Sequence, residues 1–211
     1  ALQDRVLSAV TGKRSTAPPY SPYFEFKDEN NGHDRYQWEG AYYLVEAYEE
    51  FEDFLEATYA ALGIADKSNW LMSDFGNISF SDIENKDFDW YFEKAKKKRD
   101  SAKNILKRIR GLYPKLIEIE KNNKLEIHLA FVIELIASLR HIIVHKGGIV
   151  DDRDEFLKKT LERCGLWNSG KYDEAMKDFA FSFFGGGEYE KHISLLEIPD
   201  PSMAALNASF N

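Results

Sequence analysis

The stretch LEIHLAFVIELIASLRHIIVHKGGIV, residues 125–150, decides the fold. Leu125, Leu129, Val132, Ile136, Leu139 and Ile143 recur at spacings of 4, 3, 4, 3 and 4. That period marks one apolar face of a helix. Ile127, Phe131, Leu135 and Ile142 widen the face until little polar surface is left. A helix apolar on most sides is buried between neighbours, so other helices must pack around it. Gly147 and Gly148 terminate it. Just before that end stand Arg140, His141 and His145, with Lys146 following. An arginine and two histidines on a rigid, buried rod form the densest group of reactive side chains in the chain.

Working outward, the flanking segments repeat the helical pattern. Residues 34–62 place Leu44, Tyr48, Phe51, Leu55 and Tyr59 on one face, with Asp34 as N-cap and Gly63 as stop. Acidic residues between 46 and 56 crowd the other faces. A second helix is predicted from Asp87 or Asp89 to Arg110, its inward stripe formed by Phe92, Ala95, Ala102, Leu106 and Ile109. The central helix begins near Pro114 or restarts after Asn122 and Asn123. Asp151 or Asp152 caps a further helix to Cys164, with Phe156, Leu157 and Leu161 inward. Residues 171–184 form an aromatic-rich fifth, ended by three glycines. Residues 64–87 carry no helical period, and Ile78, Ser79 and Phe80 read as a short strand. Around this core, residues 1–33 and 185–211 read as irregular extensions: a short helix over residues 2–10, proline-bound extended backbone at 17–22, a turn at 28–32 and an extended tail. The expected architecture is all-α, an antiparallel up-and-down bundle of about four to five helices over residues 34–184.

Composition bounds the function. Cys164 is the single cysteine, so no intramolecular disulfide can form, and a reducing cytoplasm is the expected compartment. The first twenty residues hold no apolar run of the kind a secretory signal needs. No apolar run reaches the ~18 residues required to span a bilayer. A net charge of −8 argues against a surface coated in positive charge for nucleic acid. The charge is unevenly spread, however. Residues 94–110 carry nine Lys or Arg against one Asp, a local +8. That segment either pairs with the acidic face of residues 46–56, solvates the exterior, or tracks a phosphate backbone. Lys96, Lys97, Lys103 and Lys107 within it, together with Lys146, are candidate RNA contacts.

On the central helix His141 and His145 are four apart, about 40° around the axis, and share a face. Glu134 and Ser138 extend the same line. A polar stripe on an apolar helix must meet water, a partner or a substrate, because buried unpaired polar groups are costly. Arg140 lies about 140° from His145. The two converge only if the arginine reaches round, the helix end unwinds, or a second copy of the chain contributes one of them. The i, i+4 histidines also have metal-site spacing, but a third ligand would be needed, with Glu134 two turns away and His33, His128 and His192 unplaced, and no His-Glu-x-x-His is present. No metal or cofactor is expected. Arg140 and His145 also have an ordinary reading, as last-turn cations that complement the helix dipole and bond free carbonyls. His128 reads as a structural histidine, Cys164 as a helix-end core residue, and residues 185–187 as a turn.

Arg140-x-x-x-x-His145 at the end of a bundle helix, followed by a glycine turn, resembles the motif of the HEPN superfamily. Arg140-His141-x-x-x-His145 resembles the variant in which a histidine follows the arginine, as in HEPN nucleases of RNA processing. The segment Val144-His145-Lys146-Gly147-Gly148 is similar to the helix end of bacterial members. The resemblance in detail covers about 25 residues. It implies an all-α bundle that pairs as a homodimer, with two motifs facing one cleft. It further implies a metal-independent endoribonuclease, often a toxin or antiviral effector, that leaves a 2′,3′-cyclic phosphate. In that reading His145 does acid–base work, Arg140 binds phosphate and His141 positions substrate, with Glu134 and Ser138 in support. The implied partners are a second copy, an RNA and a regulatory protein such as an antitoxin, with neither DNA nor membrane. Two rivals stand beside it. One is a non-catalytic HEPN-like module that binds RNA or protein; the other is a structural helical domain whose polar stripe lies in a homodimer contact.

Overall fold

A computed structural model describes residues 32–98, 101–168 and 170–195, with the side chains of 32–38, 80, 101 and 188 excepted. The expectations for residues 1–31 and 196–211 lie outside the described residues. The α-helices are α1 (Gly32–Ala65), α2 (Met72–Phe75), α3 (Phe80–Ile83), α4 (Phe88–Lys96), α5 (Ser101–Leu112), α6 (Lys115–Lys121), α7 (Leu129–Lys146), α8 (Arg153–Arg163) and α9 (Glu174–Phe181). The chain divides into a unit of Ala1–Arg35 and a unit of Tyr36–Asn211, and apart from the start of α1 all of these helices lie in the second. Among the described residues there is no β-strand, only isolated bridges. The fold is the all-α helical bundle that the periodicity predicts.

Two apolar clusters hold it together. Leu55, Tyr59 and Ala60 of α1 pack with Trp70, Phe75, Ile83, Tyr91, Ala95, Ile105 and Leu106. Phe131, Leu135, Leu139 and Ile142 of α7 pack with Val150, Phe156, Leu157, Leu161, Ala180 and Phe184. Ile133 of α7 reaches the first cluster and Leu44 of α1 reaches the second, so these two helices tie the clusters together. Leu135, Leu139 and Leu161 are fully enclosed. Each such side chain contributes about 1.5–3 kcal/mol relative to exposure.

Several boundaries differ from the sequence pattern for identifiable reasons. Helix α1 runs through Gly63 to Ala65. A Cβ at position 63 would lie 2.5 Å from Nε1 of Trp70, so this glycine admits the indole rather than stopping the helix. Trp70 stacks on Tyr59 at 4.8 Å between ring centres and donates from Nε1 to the Tyr59 carbonyl at 2.6 Å. Residues 78–80 are not a strand: Ser79 caps α3, accepting from the Asp82 amide at 3.3 Å. The single helix expected up to Arg110 divides. Helix α4 ends at Lys96 with Lys97 as C-cap, where Lys94, Lys97 and Lys98 would stack like charges one helical turn apart. Residues 115–121 make a separate helix, α6, and α7 begins only after His128. Leu125 is therefore outside α7 and exposed.

The arrangement around the C-terminal end of α7 matters most. Lys146 pairs with Asp151, Ser138 meets Thr160, and Glu134 meets Arg163. Partners descend α7 as they ascend α8, so the two helices are antiparallel. Asp152 caps α8, accepting from the Glu155 amide at 2.9 Å. Gly147 takes the left-handed conformation (φ +61) that closes α7, and the Gly148 amide bonds back to the Ile142 carbonyl at 3.1 Å. The segment after the third glycine is anchored at this end. Ile193 donates to the Gly148 carbonyl at 2.8 Å, Val150 to Lys191 at 2.9 Å, and Ser194 to Phe183 at 2.8 Å. Residues 191–194 thus brace the turn that follows His145.

Candidate functional site at the end of α7

Helix α7 stays regular through Lys146. His145 is therefore still helical, and its angular offset from Arg140 persists at about 140°. His141 and His145 stand side by side, ring centres 4.7 Å apart and tilted by 52°. Both are exposed. The His141 imidazole titrates below the ordinary histidine value, first through partial burial and then through the positive field of His145, Arg163, Arg140 and Lys146. Its neutral form, the one able to accept a proton, is favoured.

The lower half of the polar stripe is closed. Ser138 is buried at 5% exposure. Its Oγ accepts from Arg163 Nη1 at 3.2 Å and from Thr160 Oγ1 at 3.4 Å. Glu134 is 3.5 Å from Arg163 Nη1. Burial raises the Glu134 carboxyl, against the opposing fields of Arg163, Lys103 and Arg110. Glu134 and Ser138 therefore seat Arg163 of α8 against α7, at the foot of the histidine pair. Sequence reasoning misses Arg163. Its signal is positional: it falls three after Thr160 and seven after Phe156, on the side of α8 that meets α7.

Arg140 belongs to a different neighbourhood. It reaches α1, where Nη2 donates to Glu49 Oε1 at 3.1 Å. Its Nε is buried without a hydrogen-bond partner. Burial raises the Glu52 carboxyl, with Arg140 opposing. Burial likewise pushes the Tyr48 hydroxyl up to about 12, reinforced by Glu52 and Glu134 and opposed by Arg140. Within one copy of the chain Arg140 thus serves the acidic flank of α1, while the histidines share their field with Arg163.

The lysines are dispersed. Lys146 bonds Asp151 at 2.6 Å in an exposed pair, worth about 0–1 kcal/mol. Lys96 lies over the Phe92 ring at 4.5 Å. Lys97, Lys103 and Lys107 are exposed. The basic segment finds its described partners away from the acidic face of residues 46–56. Lys98 binds Asp74, Arg108 binds the carbonyls of Ser68 and Asn69, and Arg110 grips Glu120 through Nε and Nη2 at 2.7–2.9 Å. The Asn69 and Ser68 carbonyls need donors because the backbone there turns out of α1. His128 caps α7, with Nδ1 accepting from the Phe131 amide at 3.4 Å, while its Nε2 is buried and unpartnered.

Among the described residues no group of three His, Cys, Asp or Glu side chains is placed to hold a metal ion. A hollow of about 260 Å³ lies between Asp152, Asp154, Glu155, Leu157, Lys158, Trp167 and Tyr172. None of these comes from α7, and the acidic rim disfavours an anion. No helix among the described residues is long and apolar enough to cross a membrane. No family model matches the chain, and neither a curated protein nor a solved structure shows significant similarity to it.

Proposed function

We propose that this chain is a HEPN-type, metal-independent endoribonuclease acting as a homodimer in the cytoplasm, in the manner of a toxin or antiviral effector held in check by a regulatory protein. The observation that carries this reading is the exposed His141 and His145 pair in a cationic field at the end of a rigid, buried helix. Two imidazoles 4.7 Å apart can divide the work of transesterification. A neutral one accepts the proton of the RNA 2′-hydroxyl, and a protonated one donates to the departing 5′-oxygen. The 2′-oxygen bonds to phosphorus as the 5′-oxygen leaves, giving a 2′,3′-cyclic phosphate without water or metal entering the step. His145 is assigned the principal acid–base role and His141 supports it in the second proton transfer, with the arginines stabilising charge on the phosphoryl oxygens. Dimerisation enters because Arg140 is bound to Glu49 on the other flank of its own helix; a second copy is the route by which its guanidinium meets a histidine pair.

The test is cleavage of single-stranded RNA and transfer RNA in EDTA by the full chain and by His145→Ala and Arg140→Ala. Loss of cleavage in the His145 variant supports the assignment, and undiminished activity in both variants overturns it. The same hold of Glu49 on Arg140 favours a second reading, a HEPN-like module that binds RNA or protein through a homodimer without cutting. RNA retention on filters with no cleavage by the wild-type chain is its signature.

A further inference from the structure

A guanidinium from outside the motif, that of Arg163, sits against the same polar line of α7 that carries the histidines. We infer that Arg163, projecting from α8, holds the scissile phosphodiester beside His141 and His145 within one copy of the chain. This rests on the ribonuclease reading and names the phosphate-binding residue of that same site.

Three observations carry it. Arg163 is fixed from below: Nη1 donates to Ser138 Oγ at 3.2 Å and lies 3.5 Å from Glu134 Oε1. Among the described residues its Nε and Nη2 donate no hydrogen bond, and the side chain is 48% exposed. A guanidinium held by one nitrogen and open along its Nε and Nη2 edge offers the two parallel donors that a phosphate accepts. Second, Ser138, His141 and His145 lie within about 60° of arc on α7, with Ser138 only ~4.5 Å below His141 along the axis. The guanidinium, held on Ser138, therefore stands at the foot of the histidine pair, on its own side of the helix. The depressed titration of His141, to which Arg163 contributes, agrees with that proximity. Third, Arg140 is committed elsewhere. Its Nη2 is on Glu49, its Nε is buried, and its side chain is 28% exposed. Releasing it toward a phosphate would strip the acidic flank of α1 of its counter-charge.

Arg163 also neutralises the partly buried Glu134, so its removal has a structural consequence that must be separated from phosphate binding. The experiment follows the imidazole signals of His141 and His145 by NMR. The full chain is titrated with a 2′-deoxy dinucleoside phosphate, which lacks the attacking hydroxyl and is not cleaved. The wild-type chain is expected to show saturating shifts. Arg163→Gln is expected to bind at least ~10-fold more weakly, with Arg163→Lys recovering part of the loss as a point charge. The double variant Glu134→Gln/Arg163→Gln, which removes both members of the ion pair, stays as weak as Arg163→Gln if the arginine binds phosphate. Recovery of binding in that double variant overturns the inference, as does wild-type affinity in Arg163→Gln or no response in the wild-type chain. In the cleavage assay Arg163→Gln is expected to lose ~10²–10³-fold in kcat/KM. A wild-type chain that binds the probe through Arg163 yet cleaves no RNA refutes the ribonuclease reading while leaving the phosphate site in place.

Discussion

Replacing Gly63 by alanine inverts a familiar expectation. In a helix interior, Gly→Ala ordinarily stabilises by about 0.5–1 kcal/mol through the entropy of the unfolded backbone and better propensity. At position 63 the new methyl would stand 2.5 Å from Trp70 Nε1 and 2.8 Å from Cδ1 and Cε2. The indole has little room to retreat. It is 3% exposed, stacked on Tyr59 at 4.8 Å, and set edge-on to Tyr91 at 5.0 Å. Relieving the overlap costs about 1–3 kcal/mol in displaced packing. Breaking the buried bond from Nε1 to the Tyr59 carbonyl costs a further ~1–3 kcal/mol. The net expectation for Gly63→Ala is a loss of about 2–4 kcal/mol. Gly111, in α5, provides the control, since nothing lies within 4 Å of the Cβ it would carry; Gly111→Ala is expected to gain up to ~1 kcal/mol. Urea unfolding followed by tryptophan fluorescence, at unchanged m, measures both. A Gly63→Ala chain as stable as wild type refutes the packing argument for the end of α1.

Two more outcomes concern charges held by the helices. Glu120 is 6% exposed in its side chain and gripped by Arg110, so Arg110→Gln, which strands a buried carboxylate, is expected to cost about 2–4 kcal/mol in urea unfolding, and a loss under ~0.5 kcal/mol would contradict the pairing. The His141 imidazole is expected to titrate by NMR below the ordinary value of about 6.5 and to move up in Arg163→Gln, since a cation beside it is removed. Because the folded midpoint is the lower one, the unfolded chain binds more protons in the window between the two. The His141 contribution to stability is thus present above pH ~6.5 and is lost as the pH falls through the lowered midpoint. A midpoint at or above 6.5, or one indifferent to Arg163, would contradict the cationic field drawn around it.

The helices that periodicity reveals are those whose burial is one-sided or complete over several turns: α1, α5, α7 and α8. The rotational phase of α7 is harder to read. The regular spacing through Val132 and Ile136 selects residues that are only half-buried, whereas Phe131, Leu135, Ser138, Leu139 and Ile142 face inward. A helix apolar on nearly every side carries no internal marker of which side meets α8. The short helices α2 and α3 carry no period at all. They are set by Trp70, Phe75 and Ile83 docking on Tyr59 and Tyr91, contacts between residues far apart in sequence. At the candidate site, the histidine pair is legible because i and i+4 share a helix face. Arg163 is not, because only the antiparallel packing of α8 on α7 brings it there. Arg140 is legible as a residue but not by its contacts: Glu49, 91 positions earlier, takes its guanidinium.

The central claim is that the two imidazoles carry out transesterification. The most direct measurement is the chemistry of the ends left by the full chain on single-stranded RNA in excess EDTA, read by mass spectrometry. The expected result is a 2′,3′-cyclic phosphate on one fragment and a free 5′-hydroxyl on the other, both absent with His145→Ala. Ends carrying a 5′-phosphate and a 3′-hydroxyl, cleavage abolished by EDTA, or the same cyclic ends from the His145 variant would contradict it.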